Sequence, residues 1–333
     1  MKLPIRILLI LIVAGAGFGL FLHWSLHYRN TELDYPQHFD IKPGESLNDL
    51  LSDLQSRGLI RFPLGYKIYA RLYPDISHIK AGEYVLDSAL SGYQLLTKLR
   101  RGEVHHRRIT IAEGSRLREI ITLLDDSLGI PADTLWSIEH QPEKLRAITG
   151  LDITSLEGYL YPETYFFSKF QSYRDVITAM TDLFKQRILP IWEQRPPDFK
   201  LSLNETLTLA SIIEKETSIR SELSLVSSVY HNRLKQRMKL QACPTVQYSL
   251  PHNKRLYEKD LLNPSPYNTY RYEGLPPGPI CSPSPEAFQA AIHPAETEYL
   301  FFVAGSDHHH LFSKTFNEHT RKNRQTKISR SAP

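Results

Sequence analysis

IKPGESLNDLL, residues 41–51, and IAEGSRLREII, residues 111–121, are two copies of one local pattern set seventy residues apart. Each begins with extended apolar residues, turns at a glycine and passes through a polar N-cap region into a helix. Leu47, Leu50, Leu51 and Leu54 have helical spacing in the first copy, as do Leu117, Ile120, Ile121 and Leu124 in the second. Strand followed by helix, twice over, predicts an α+β fold. Two copies are too few for a solenoid, so they read as two small units, 38–104 and 105–150, the second continued by connecting helices to 199.

Outward from the first copy, Gly58-Leu59-Ile60 ends a helix and Ala81-Gly82-Glu83-Tyr84-Val85-Leu86 reads as a strand. The order strand, helix, helix, strand resembles a LysM-type carbohydrate-binding module, although strand–glycine–helix is a generic pattern. The basic run His105-His106-Arg107-Arg108 reads as a solvated loop. LEGYLYPETY, residues 156–165, is either a core strand and turn or an aromatic platform for sugar rings. Residues 171–195 form a helix with Val176, Met180, Leu183 and Phe184 on one face, closed by Arg195-Pro196-Pro197-Asp198. A last compact domain spans 200–325, leaving a tail at 326–333.

From Ile7 to Leu22 the sequence has no charged residue, and the apolar character continues to Leu26. Roughly 20 such residues cross a bilayer core. Lys2 and Arg6 precede the run, and Trp24 and Tyr28 follow at interfacial depth. A cleaved signal peptide is the competing reading, but the small residues Ala14-Gly15-Ala16 lie inside the apolar run. Residues 1–29 therefore read as a cytoplasmic N-terminus with an uncleaved anchor, and 30–37 as a linker to a chain outside an inner membrane. Gly15 and Gly19 form a small-residue pair of a kind common in spans without pairing. A mean hydropathy of -0.34 over 333 residues excludes a polytopic membrane protein. Lys+Arg 40 against Asp+Glu 36 gives a dispersed +4, which points to no nucleic-acid partner.

NETLTLASIIEKETSI, residues 204–219, is the segment with candidate chemistry. With Ile212 at zero and about 100° per residue, Leu209 falls at about 60°, Ile213 at about 100° and Glu216 at about 40°. Glu214 falls at about 200°, on the opposite face. A carboxyl on an apolar face keeps its proton to higher pH and can act as a general acid. The plainer alternative is a charged helix end paired with a nearby Lys or Arg. No HExxH, Walker A or GxSxG pattern is present, and nothing calls for a metal or a nucleotide cofactor.

ASIIEKET (210–217) is followed by VSSVYHNRL (226–234), Leu240-Gln241, PTVQY (244–248), YNTY (267–270) and GLPPGPI (274–280). His293-Pro294-Ala295, YLFFV (299–303) and the His310, Phe312, Thr315, Glu318-His319 segment complete the series. Together with LEGYLYPETY, these segments resemble the endolytic murein transglycosylases, the MltG or YceG-like family, over most of the chain. The resemblance implies a single-pass inner-membrane protein whose external domain cuts peptidoglycan strands between N-acetylmuramic acid and N-acetylglucosamine, leaving 1,6-anhydro ends. It implies one catalytic carboxyl in the EKE segment, at Glu216, with Glu214 the second choice. Gln241, Thr245, Gln247, Tyr248, Asn268 and Tyr270 fall in the matching segments, either as sugar-binding groups or as loop-stabilising ones. Peptidoglycan strands are the implied partner, together with cell-wall synthases at the membrane. A non-catalytic glycan-binding scaffold and a hydrolytic muramidase are the alternative functions.

One departure concerns the two cysteines. Cys243 stands where the family commonly has an acidic residue, and Cys281 follows the GLPPGPI turn. Both fall in groove-forming segments, so a disulfide between them is the expectation, with two unlinked thiols as the alternative.

Overall fold

The computed structural model describes residues 5–73, 79–139, 141–251, 256–305 and 309–331. Its elements run α1 (Ile5–His27), β1 (Gln37–Ile41), α2 (Leu47–Ser56), α3 (Pro63–Leu72), β2 (Gly82–Leu86), α4 (Gly92–Arg101) and β3 (His106–Thr110). There follow α5 (Leu117–Leu128), α6 (Ala132–Glu139), α7 (Pro142–Thr149), β4 (Thr164–Ser168), α8 (Tyr173–Glu193), α9 (Leu203–Glu216) and α10 (Leu223–Lys235). The last are α11 (Cys243–Tyr248), α12 (Pro285–Ile292), β5 (Phe301–Ala304), β6 (His310–Ser313) and α13 (Phe316–Ser331). The fold is thus mixed α+β with an N-terminal apolar helix. Both copies of the repeated pattern take the form strand, glycine, helix, with Gly44 and Gly114 at φ 79° and 75°. Only glycine adopts that left-handed turn without strain.

The chain divides into two compact units. The first comprises Met1–Arg108, Ser127–Ile130 and Phe166–Ser172; the second comprises Ile109–Asp126, Pro131–Tyr165 and Tyr173–Pro333. In the first, β1 and β2 pair antiparallel with Phe39 opposite Tyr84 and Ile41 opposite Gly82. Alternation puts Phe39 and Ile41 inward, where they meet Leu50, Leu51 and Leu54 of α2 and Leu95, Leu96 and Leu99 of α4. Ser46 caps α2 by accepting from Asp49 N, and a Ser91–Gln94 capping box starts α4.

In the second unit, α9 packs against α10, α11 and α12. The helical wheel gave α9 one apolar face, yet every residue from Thr206 to Ile213 is buried. Its polar residues tolerate this because each hydroxyl bonds within the helix. Thr206 donates to Ser202 O at 2.8 Å, Thr208 to Asn204 O at 2.7 Å and Ser211 to Thr208 O at 2.7 Å. LEGYLYPETY is core: Leu156, Tyr159, Leu160, Tyr161 and Tyr165 are all buried. β5 and β6 pair antiparallel, with Ala304 opposite His310.

Candidate active site

A Ser202–Glu205 capping box starts α9, and Thr217, in extended conformation, ends it. The helix therefore stops at Glu216, which is half-buried. Tyr230, on the neighbouring α10, donates its hydroxyl to Glu216 Oε1 at 2.8 Å. One turn on, Arg233 donates from Nε to Leu300 O at 2.7 Å and from Nη1 to Leu240 O at 2.6 Å, tying two loops to α10. Glu216, Tyr230, Arg233, Leu240, Gln241, Cys243, Tyr270 and Phe302 line a cleft of about 150 Å³. Burial pushes the Glu216 carboxyl up to about 7, outweighing the Tyr230 hydrogen bond and the nearby His310 and Arg233, which favour the anion.

The floor of the cleft is a laced pair of loops. Gln241 sits at φ 51°, a left-handed conformation that costs a side chain about 1 kcal/mol or more. It is held there by Gln241 N donating to Thr269 O at 3.0 Å and Ala242 N donating to Thr269 Oγ1 at 3.0 Å. Of the six residues expected to bind sugar, Gln241 and Tyr270 line the cleft. Thr245 is fully buried and donates to Ala242 O at 2.7 Å. Asn268 is likewise buried and donates to Leu261 O and Asn263 O. Gln247 is half-buried, and its carbonyl accepts from Arg116. Tyr248 packs against Tyr267 with ring centroids 4.7 Å apart and the planes tilted by 46°. Glu214 is engaged elsewhere: its Oε2 accepts from the Ser284 amide at 3.0 Å and from the Ser284 hydroxyl at the start of α12.

The expected disulfide is absent. Cys243 and Cys281 are free thiols held by different neighbours. Cys243 Sγ lies 3.1 Å from the Tyr270 hydroxyl in the cleft, whereas Cys281 is buried against α9 and donates to Ser211 O at 3.4 Å.

A model of the YceG-like family matches residues 39–325. The chain belongs to the YceG-like family. It is 31% identical to the endolytic murein transglycosylase of Bacillus subtilis strain 168, over 91% of this chain and 89% of that one. It is 28% identical to the protein of the same name from Streptococcus pneumoniae serotype 2, over 79% of this chain but only 53% of that longer one. The chain thus spans about half the length of the pneumococcal relative. A crystal structure of a YceG-like protein from Listeria monocytogenes aligns at a TM-score of 0.61 and 31% identity, over 86% of this chain and 98% of that one.

Two groups in this YceG-like chain had no assigned role in the sequence. Glu222, 5% exposed, accepts from His310 N at 2.9 Å, His310 Nδ1 at 2.7 Å, His309 Nδ1 at 2.9 Å and Thr217 Oγ1 at 3.3 Å. It thereby clasps β6 to the residue that follows Glu216. In sequence His310 falls in the last family-matching segment, where nothing pairs it with Glu222; His308 lies outside the described residues. The second group is Glu157, 5% exposed, which accepts from Leu117 N at 2.9 Å and from the Tyr248 hydroxyl. Burial pushes it, too, up to about 7. It lines a pocket of about 130 Å³ with Tyr159, Asn204, Tyr267 and Pro277–Pro279.

A groove of about 650 Å³ in the first unit is lined by His38, Asp40, Glu83, Arg57, Arg107 and Lys169 among others. Lys169 there pairs with Asp40, Arg107 with Glu83 and Arg57 with Asp53. Burial acts on Glu83 as well, but its bonds to Arg107 and His38 hold that carboxyl below the usual carboxylate range, opposite to Glu216.

Proposed function

We propose that this chain is a membrane-anchored lytic transglycosylase that cuts the bond between N-acetylmuramic acid and N-acetylglucosamine within nascent peptidoglycan strands. The observation that carries the reading is Glu216. It holds a proton near neutral pH and is the one carboxyl among the described residues of its cleft. Tyr230 engages Oε1, which leaves Oε2 to carry that proton. Glu216 gives it to the glycosidic oxygen as the C1–O bond breaks and the sugar becomes oxocarbenium-like. The resulting carboxylate then takes the proton from the C6 hydroxyl, whose oxygen bonds C1 and closes the 1,6-anhydro ring. Glu216 ends as it began, and no water is consumed. A hydrolase of the two-carboxylate kind needs a second carboxyl to activate water or form a covalent intermediate. Gln241 and Tyr270 are the side chains available to orient the sugar.

In this reading α1 spans the inner membrane with its N-terminus in the cytoplasm, and the rest of the first unit and the whole of the second lie outside it. The strand–helix–helix–strand unit acts as a LysM-like glycan-holding module. Cell-wall synthases are the partners that supply the strand. The test is mass spectrometry of purified glycan strands after digestion by the full-length protein. Anhydro ends support the reading, reducing ends indicate a muramidase, and intact strands indicate a scaffold. Glu216→Gln is expected to abolish anhydro products, and Glu214→Gln to retain them; the reverse pattern would sink the assignment.

A further inference from the structure

We propose that the first unit is seated on the phospholipid surface through the turn Arg61–Leu64 at the start of α3. The inference rests on reading α1 as a span and goes beyond it, because an anchor alone leaves its cargo free to swing. Here the exit of α1 is fastened. Ser25 is 1% exposed and donates its hydroxyl to Phe62 O at 3.2 Å. Gly65 packs so closely on it that a Cβ there would lie 2.0 Å from Ser25 Oγ. The Phe62 ring sits 4.6 Å from Trp24 and 6.1 Å from Phe21. Further along, Asn30 donates to Gly58 O at 3.0 Å and Tyr35 to Asn30 O at 2.9 Å, while Leu26, Leu33 and Tyr35 pack on the core of the unit.

Depth follows from length. At about 1.5 Å per residue, a ~30 Å hydrocarbon core that begins at Ile7 ends near His27. Phe21, Trp24 and Ser25 lie within that length, so Phe62, packed against them, lies at the same level. Leu64 beside it is 59% exposed and Trp24 is 52% exposed. Arg29, Arg61, Lys67 and Arg71 are exposed around them, and the Arg61 guanidinium is 6.0 Å from the Tyr28 ring and 5.6 Å from the Phe62 ring. Aromatic side chains at the boundary with cations just beyond suit the interface and its anionic headgroups.

The experiment places a nitroxide at Leu64→Cys, and separately at Arg61→Cys, in the full chain carrying Cys243→Ser. The protein is reconstituted in vesicles of phosphatidylethanolamine and phosphatidylglycerol. Collision with oxygen and with a water-soluble nickel chelate is compared with Leu11→Cys as bilayer reference and Glu143→Cys as aqueous reference. The oxygen-to-nickel ratio at position 64 is expected to be several-fold above that at 143 and close to that at 11, with position 61 between the two. A ratio at 64 equal to that at 143, in protein that resists carbonate extraction, overturns the seating and leaves the anchor. Protein released by carbonate overturns the span and the seating together.

Discussion

Glu216 owes its proton to where α9 stops: the helix ends with the half-buried carboxyl packed against Tyr230 in a narrow cleft. If that proton starts the reaction, kcat/KM is constant below about pH 6 and falls about tenfold per pH unit above about 7. A limb left unchanged by Glu157→Gln ties it to Glu216, because Glu157 titrates in the same range at a separate pocket. A limb that moves with Glu157→Gln assigns it to the wrong carboxyl. The same raised pKa bears on stability. A carboxyl whose folded pKa lies above its unfolded value carries no penalty below about 4.5. The penalty grows between there and about 7 and is full above it. Glu216→Gln is therefore expected to stabilise the protein at pH 8 by roughly 1–3 kcal/mol and to do little at pH 4. Urea unfolding at the two pH values measures it, and an equal effect at both counts against a buried carboxylate. The orientation of Glu216 was legible because helical period alone separates it from Glu214. The location of Thr245 and Asn268 was not, since a hydroxyl or amide that closes a loop is the same residue type as one that meets a sugar.

At the scale of elements, the end of α9 is held by a bond no local pattern reveals. Glu222 and His310 are joined across 88 residues, so their pairing exists only once β5 and β6 have folded back. Helices α2, α5 and α9 were legible from apolar spacing, which is local, whereas α4 went unread and the clasp is set by chain return. Glu222→Ala leaves the Thr217 hydroxyl and the His310 ring without their buried acceptor. It is expected to destabilise the protein by about 3 kcal/mol and to lower kcat 10-fold or more with little change in KM, since no sugar contact is removed. A change confined to KM makes Glu222 a binding group instead. A second device is Gly158, at φ 83°, where a Cβ would lie 2.6 Å from Pro279 Cβ and 3.3 Å from Cys281 O. Gly158→Ala therefore meets both a left-handed backbone and a rigid proline, and a loss of about 2–4 kcal/mol in urea unfolding is expected. An unchanged midpoint shows that the loop yields.

For the whole molecule, the division into two units separates two kinds of attachment. Every residue lining the Glu216 cleft belongs to the second unit, whereas α1 is fastened to the first through Ser25, Phe62 and Gly65. The apolar run is legible in the sequence, whereas the fastening of its exit is not, because a docking serine and a facing glycine carry no periodic signal. A chain that begins at Arg29 loses Phe21, Trp24 and Ser25, and with them the partners of Phe62. Its second unit loses none of the residues that line the cleft. Such a chain is expected to be soluble and to release anhydro ends from purified glycan at a rate within about threefold of the detergent-solubilised full chain. Its thermal unfolding is expected to gain an early step, because removing buried contacts of this size costs a domain about 2–4 kcal/mol, or on the order of 10 °C or more in a unit of roughly 100 residues. Calorimetry of the two chains in the same detergent reads the step, and end-group analysis of the digests reads the activity. Loss of cleavage without an early unfolding step contradicts the division of labour between the units, whereas an unchanged melt with retained cleavage shows that the contacts at Ser25 do not stabilise the first unit.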